Sequence, residues 1–285
     1  MGIFDGCLLA CDIDGTLMGN DTIPNENLRK IRFFMDEGGI FSLATGRTLG
    51  AVSTVLEILG EVSPSVYGNG CMIYDFSEDR FLHQEFVPDN AKTFVQDILT
   101  EMPDVGIEIH SGTDVFVIRE TQETIEHESY ENIKVKPIDY NEVLQYNWNK
   151  VMFLLNSAEQ YLKIEALAAK YTDICTFFRT TATVYGKMRN YYEQLSENAS
   201  KGAGVLKLCE LFNIKKGGLY TIGDFFNDIP MLEAADISAC PCGSPDEVVA
   251  ASTVITRKAE NGAVADFIDY LTKRKEAENG RTKEN

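Results

Sequence analysis

The stretch Ala10-Cys11-Asp12-Ile13-Asp14-Gly15-Thr16-Leu17 follows directly on the apolar run Cys7-Leu8-Leu9-Ala10-Cys11. A buried strand that ends in Asp-x-Asp presents both carboxylates at its C-terminal edge, where open α/β sheets bind ligands. Two acids so close repel each other unless a cation or a proton lies between them. Gly15 lets the chain turn sharply without a Cβ penalty, and Thr16 adds a hydroxyl beside the turn. The arrangement suits a divalent metal with oxygen ligands and a carboxylate acting as nucleophile. Read as structure alone, the same residues make an acidic strand-to-turn junction, since Asp and Gly are common turn residues.

Three further segments follow in order. Phe41-Ser42-Leu43-Ala44-Thr45-Gly46-Arg47 is a second apolar run, closing on a hydroxyl residue and a glycine. Ser200-Lys201-Gly202 opens a helical pattern, and Tyr220-Thr221-Ile222-Gly223-Asp224-Phe225-Phe226-Asn227-Asp228 is an apolar run closing on Gly-Asp-x-x-Asn-Asp. Together with the opening stretch these resemble the four signature motifs of the haloacid dehalogenase-like phosphohydrolases. The order and spacing resemble the Cof-type branch, whose large cap lies between the second and third motifs. The resemblance runs from Leu8 to Glu260-Asn261-Gly262-Ala263. It implies an α/β fold, a Rossmann-like parallel-sheet core with an inserted α+β cap domain.

The periodicity fits that outline. Apolar residues Leu28, Ile31, Phe34 and Met35 recur at helical spacing between Asn27 and Gly38, Phe41 to Ala44 is the next buried strand, and Leu49 to Leu59 the next helix. Ser65 to Tyr67 reads as a third strand, closing on Gly68-Asn69-Gly70, and strands alternating with helices imply βαβ units and a parallel sheet. Met72 to Tyr74 and Arg80 to Val87 read as a hairpin. From Pro88 the texture changes to a helix, two strands (Gly106 to His110, Val115 to Arg119), a polar helix near Gln122 to Tyr130, a strand at Lys150 to Leu155, a helix from Ser157 to Tyr171 and a β-rich run from Cys175 to Tyr185. The expected division is a first core part over 1–87, a cap over 88–189, and a second core part over 190–285 with a disordered tail from about 276. The second core part holds a helix from Lys201 to Leu211, strands at Gly218 to Ile222, Asp236 to Cys240 and Thr253 to Thr256, and a last helix from Ala263 to Arg274.

Composition narrows the partners. The net charge of −18 disfavours nucleic acid and anionic membranes, and a site for anionic phosphates must invert that field locally, with Mg²⁺ and Lys201. No apolar run is long enough to span a bilayer, no signal peptide is visible, and Gly6 breaks the myristoylation pattern after Gly2. A cytoplasmic protein follows, with its seven cysteines reduced; Cys240-Pro241-Cys242 is a poor zinc signature. The triplets Asn20-Asp21-Thr22 and Asn198-Ala199-Ser200 match glycosylation acceptors but carry no weight without secretion. The expected partner is a small phosphate ester, and the chain is expected to be a monomer or weak homodimer.

The resemblance also implies roles. Asp12 matches the nucleophile that forms an aspartyl-phosphate and also ligates the metal. Asp14 matches the general acid/base and lends the metal its backbone carbonyl. Thr45 and Gly46 match the phosphate-cradling motif, a reading preferred to that of Thr45 as an ordinary helix N-cap. Lys201 matches the lysine that pairs with Asp12 and the phosphate. Asp224 and Asp228 match the metal-site acids, with Asp228 either ligating through water or holding Lys201, and Asn227 matches a phosphate or loop-orienting contact. Oxygen-only ligands favour Mg²⁺. Arg47 stands outside the catalytic set, and His83, His110 and His127 read as structural. Phe225 and Phe226 occupy positions often small or polar in relatives, and Ala239 to Pro245 replaces a loop that commonly carries Gly-Asn-Ala. The implied activity is a Mg²⁺-dependent phosphatase acting on small phosphorylated metabolites, sugar phosphates foremost. A phosphomutase of the phosphomannomutase type and a non-catalytic phosphometabolite-binding protein remain the alternatives.

Overall fold

The computed structural model describes residues 2–60, 62–184 and 187–282. In chain order its elements begin with β1 (Leu8–Cys11), α1 (Asn25–Asp36), β2 (Ile40–Leu43), α2 (Ser53–Leu59), β3 (Ser65–Tyr67), β4 (Met72–Asp75) and β5 (Arg80–Gln84). They continue with α3 (Thr93–Glu101), β6 (Gly106–Ser111), β7 (Asp114–Arg119), α4 (Gln122–Glu131), β8 (Val135–Pro137), α5 (Tyr140–Val143), β9 (Lys150–Leu155) and α6 (Ala158–Ala168). The last are β10 (Cys175–Val184), β11 (Lys187–Ser196), α7 (Lys201–Phe212), β12 (Leu219–Ile222), α8 (Ile229–Ala234), β13 (Ile237–Pro241), α9 (Asp246–Ala251), β14 (Val254–Thr256) and α10 (Ala263–Thr282).

The chain divides into two compact units: residues 1–46, 55–82 and 200–285 form one, and residues 47–54 with 83–199 form the other. The first is built on a parallel five-stranded sheet in the order β14-β13-β12-β1-β2. All four residues of β1 are buried, as a parallel strand covered on both faces requires. Leu8 and Ala10 pack with Val205 and Leu208 of α7 and Met231 of α8. Elsewhere α1 packs against α10, where the buried Asn27 amide donates to the Leu17 carbonyl (3.1 Å) and its Oδ1 accepts from the Ala265 N–H (2.9 Å). One side chain thus ties the turn after the acidic motif to the start of the last helix.

β3 departs from the expected parallel strand. It pairs antiparallel with β4 in a three-stranded sheet, β3-β4-β5, and meets the parallel sheet through a parallel bridge between Ala44 and Val66 and through the Leu43 N–H, which donates to the Ser65 hydroxyl (2.8 Å). The expected helix from Leu49 starts instead at Ser53, because residues 48–52 are turns in which the Thr48 hydroxyl accepts the Ala51 N–H (3.2 Å) and Ala51 packs on Val115 and Ile133. The expected irregular tail from about 276 is likewise corrected. α10 runs to Thr282, supported by helix-forming Lys, Glu and Ala residues and by the Arg274–Glu278 pair one turn apart. Residues 283–285 lie outside the described residues.

The inserted unit is α+β, with a six-stranded sheet ordered β10-β11-β9-β6-β7-β8, antiparallel except for the β7–β8 pair. Alternation along its strands puts Ile107, Ile109, Val151, Phe153 and Tyr192 in one core with Phe94, Val95 and Ile98 of α3 and Ile164 of α6. The unit is wider than the 88–189 expected from sequence. The Asn149 amide donates to Gln84 Oε1 (3.3 Å) and the Glu85 carbonyl (3.1 Å), and β11 runs to Ser196, so both flanking segments belong to this unit.

Glu108 of β6 lies between His127 of α4 (Nδ1 to Oε2, 3.0 Å) and His110 (Nε2 to Oε2, 3.7 Å), and all three are buried. Burial alone would raise the Glu108 carboxyl, but the two imidazoles outweigh it and bring it down to about 2. Burial works against a charged His127, and the Glu108 carboxylate more than offsets it, so His127 is raised above 6.5. A raised histidine contributes its stability below pH 6.5 and loses it as pH climbs through its folded value, while Glu108 stays ionised throughout. His127→Gln should therefore destabilise the protein by about 1.5–3 kcal/mol near pH 6 and by distinctly less near pH 9. Thermal melts of both proteins at the two pH values measure this; an equal loss at both would show that His127 is not charged in the fold.

Candidate active site

Every sequence-selected site residue lies in the first unit, and most stand at the C-terminal edge of its parallel sheet. Asp12 follows β1, its N–H held by the Ile222 carbonyl (3.0 Å). Gly15 has φ +80°, and a Cβ there would meet Asp224 Oδ2 at 2.3 Å, so the turn needs glycine for both backbone and space. The Thr16 hydroxyl donates to Asp224 Oδ1 (2.9 Å), a link between the first and fourth motifs that the sequence suggested only as a hydroxyl beside a turn. Asp14 is exposed at the same turn.

Lys201 comes from the first turn of α7, whose N-cap Ser200 accepts the Ala203 N–H (3.0 Å). Gly202 is required because a Cβ would meet the Pro230 carbonyl oxygen at 2.4 Å, where α7 and α8 approach closely. The ammonium, 1% exposed, donates to Asp12 Oδ1 (2.6 Å) and to Asp228 Oδ1 (2.6 Å). The other Asp228 oxygen accepts the N–H groups of Asp224 (2.9 Å) and Phe225 (3.0 Å). Asp228 therefore fixes both the lysine and the loop that presents Asp224. Asp228 also belongs to the acidic cluster that could hold a metal ion.

The electrostatics follow from the count of charges. Asp12, Asp224 and Asp228 bring carboxylate oxygens within 4.8 Å of one another, against one ammonium. Burial and the Asp228 charge push Asp224 up to about 6 despite the Thr16 hydrogen bond. Burial also raises Asp12; Lys201 pulls the other way, and the Asp228 and Asp224 charges add to the rise. Burial disfavours a charged Lys201, yet the two aspartates beside it raise its affinity for the proton. A cluster of oxygen donors with surplus negative charge fits a hard divalent cation, which removes the repulsion that the lysine leaves.

Thr45 is buried just beyond β2, its N–H donating to the Val66 carbonyl (3.0 Å), with Gly46 next in the chain. The Asn227 amide donates to Oδ1 of Asn69 (2.9 Å), a residue the sequence reading passed over as the middle of a Gly-x-Gly turn. Its signal lay in its type, since Asn tolerates the left-handed conformation it adopts here (φ +57°). Phe226 is 47% exposed and stands edge-on to Phe225, ring centroids 4.9 Å apart. Arg47 and the three histidines belong to the inserted unit. Arg47 donates to the Ala51 carbonyl (3.1 Å), and His83 pairs with Glu85 (2.9 Å). Among the described residues all seven cysteines are free thiols, and no helix is long and apolar enough to cross a membrane.

The sequence model of the haloacid dehalogenase-like hydrolases matches residues 9–268. The chain belongs to that family. It is 24% identical to the 5-amino-6-(5-phospho-D-ribitylamino)uracil phosphatase YwtE of Bacillus subtilis (strain 168), over 92% of this chain and 97% of that one. It is also 24% identical to a phosphoglycolate phosphatase of Methanopyrus kandleri, over 93% and 96% respectively. A haloacid dehalogenase-like hydrolase from Bacteroides thetaiotaomicron superposes with a TM-score of 0.79 at 16% identity, covering 93% of this chain and 99% of that one; this likeness establishes the fold. The expected class, a phosphoric monoester hydrolase, stands with the family and the phosphatases among its relatives.

Replacing Lys201 with Met would leave two buried carboxylates without their counter-charge. The variant should lose about 3–5 kcal/mol of stability near pH 7, the range for one partner removed from a buried pair, and less near pH 4, where Asp12, raised by burial, takes up its proton. Denaturant unfolding at the two pH values measures the difference; a loss under 1 kcal/mol at both would mean the ammonium is not what offsets Asp12 and Asp228.

Proposed function

We propose that this protein is a Mg²⁺-dependent phosphatase that hydrolyses small phosphorylated metabolites, sugar phosphates foremost, through an aspartyl-phosphate. It acts in the cytoplasm as a monomer or weak homodimer. The observation that carries the reading is a buried Asp12 paired with Lys201, two residues from an exposed Asp14. One carboxylate is held for attack while a second, at the same turn, reaches solvent and leaving group.

Asp12 and Asp224, with the Asp14 carbonyl, would hold the cation, and Asp228 supports them through Lys201 and the loop backbone. When bound, the cation neutralises charge on the phosphate so that an anionic nucleophile can approach it. An oxygen of Asp12 attacks phosphorus, the P–O bond to the metabolite breaks, and Asp14 gives its proton to the departing alkoxide. Asp14, now ionised, takes a proton from water as that water attacks phosphorus, and inorganic phosphate leaves with Asp12 restored. Lys201 keeps the Asp12 carboxylate oriented and balances charge on the phosphoryl oxygens, while Thr45, Gly46 and Asn227 bind those oxygens. Small phosphate esters are the expected class because the relatives carry phosphatase names for a phosphorylated ribityl compound and phosphoglycolate, and sugar phosphates come first because a protein of similar fold is described as a sugar phosphatase.

Release of inorganic phosphate from a panel of phosphorylated metabolites, with and without EDTA, tests this. Turnover should require the divalent ion and no bisphosphate activator; strict dependence on an activator, with the phosphoryl group retained, would make the enzyme a mutase. Asp12→Asn should remove essentially all turnover, and retention of a tenth of the activity would exclude it as the nucleophile. Asp14→Asn should cost at least ~10²-fold in kcat, the lower end for a general acid–base group. A much smaller loss with unchanged pH limbs would end that assignment.

A further inference from the structure

The turn Gly68-Asn69-Gly70 lies outside all four motifs, yet it meets three of them. The Asn69 N–H donates to the Thr45 carbonyl (3.0 Å), directly before the phosphate-binding glycine of the second motif. Its side-chain Oδ1 accepts the Asn227 amide of the fourth motif (2.9 Å). A Cβ built on Gly46 would come within 2.9 Å of the same Oδ1, so Gly46 and the Asn69 amide are in close apposition. On the other side, a Cβ on Gly70 (φ +102°) would meet the carbonyl oxygen of Ser200 at 2.0 Å. Ser200 is the N-cap that starts the helix carrying Lys201. The turn therefore abuts the second, third and fourth motifs at once, and Asn69 is fully buried within it.

Two features indicate that the side chain is there for more than the turn. Asn69 has φ +57°, a left-handed conformation that glycine adopts with less strain, and glycines already flank it on both sides. A turn needing only backbone freedom would be served by a third glycine. Asparagine supplies in addition an oxygen acceptor, which the Asn227 amide uses. Asn227 itself is half-buried in the short turn Phe226–Asp228, next to the exposed Phe226.

The geometry points to Asn69 as a positioning residue that locks Asn227 against the Thr45–Gly46 loop, so that both present their polar groups to one phosphate. This rests on the phosphatase reading given above, in which those residues bind the transferring group. In this reading Asn69 acts through Asn227, whose amide its Oδ1 accepts.

Asn69→Gly is the informative variant, because it keeps the backbone N–H and suits the left-handed conformation while deleting only the amide. Binding of inorganic phosphate by titration calorimetry in the presence of Mg²⁺ should weaken about tenfold, and kcat/KM should fall between tenfold and a hundredfold, as small misplacements of binding groups do. Mg²⁺ affinity should stay within twofold, because Asp12 and Asp224 are fixed by other contacts; a general loosening of the site would weaken both. Asn227→Ala should cost nothing further in the Asn69→Gly background, yet retain its full cost in Asn69→Asp, which keeps an oxygen acceptor. Additive losses in the glycine background would overturn the proposal. If both Asn69 variants fail to fold, the turn is structural and the positioning role is likewise overturned. Wild-type protein that neither binds phosphate nor releases it would instead overturn the phosphatase reading itself.

Discussion

One buried ammonium organises the core unit. Lys201 bonds at once to Asp12 and Asp228, which follow different strands of the parallel sheet, and its own helix begins at the same edge. The ammonium supplies the one positive charge bonded to both carboxylates, and buried charges left without a partner are strongly unfavourable. The same requirement fixes neighbouring choices. Asp228 spends its second oxygen on the backbone of the Asp224 loop, Thr16 steadies Asp224 from the first motif, and Gly15 and Gly202 stay small because carboxylate and carbonyl oxygens stand where a Cβ would go. The site is a set of mutually dependent close approaches more than a list of catalytic groups.

The surplus charge in that arrangement has a functional sense. Burial, with three carboxylates set against one lysine, raises Asp224 to about 6, which a cation would offset. A site fully neutralised by its own side chains would stabilise the empty protein but leave nothing to hold a divalent ion. The stability forgone at the sheet edge is recovered in the interior, where Leu8, Ala10, Val205 and Leu208 pack without polar interruption.

The motif strands were legible because each is an uninterrupted apolar run ending on residues with special chemistry, and run and ending agree on the same edge. Asp12, Lys201, Asp224 and Asp228 were legible as a group by their order, though no periodicity could show that Asp12 and Asp228 both meet the Lys201 ammonium. What stayed hidden was relational. Asn69 looks like any turn asparagine until its amide is seen against Asn227. β8 is three residues ending in proline at a sheet edge, and the first half of β11, Lys187-Met188-Arg189-Asn190, is polar and gains its strand character only from its ten-residue register with β10. The helical continuation past residue 276 was misread because polarity suggested a tail, whereas Lys, Glu and Ala are also good helix formers.

The position of β1 bears on how the chain reaches this state during synthesis. β1 lies between β2 and β12, so its hydrogen-bonding edge toward Leu219–Ile222 has no partner until that strand emerges. At typical translation rates the wait is on the order of tens of seconds. The antiparallel sheet of the inserted unit is encoded almost without interruption and can complete itself in the interval, while Leu8–Cys11 remains an apolar edge open to pairing with other nascent chains. For this protein the vulnerable period is therefore before the ribosome reaches β12, and rare codons or a stall between β11 and β12 would be expected to lower soluble yield without altering any property of the finished enzyme.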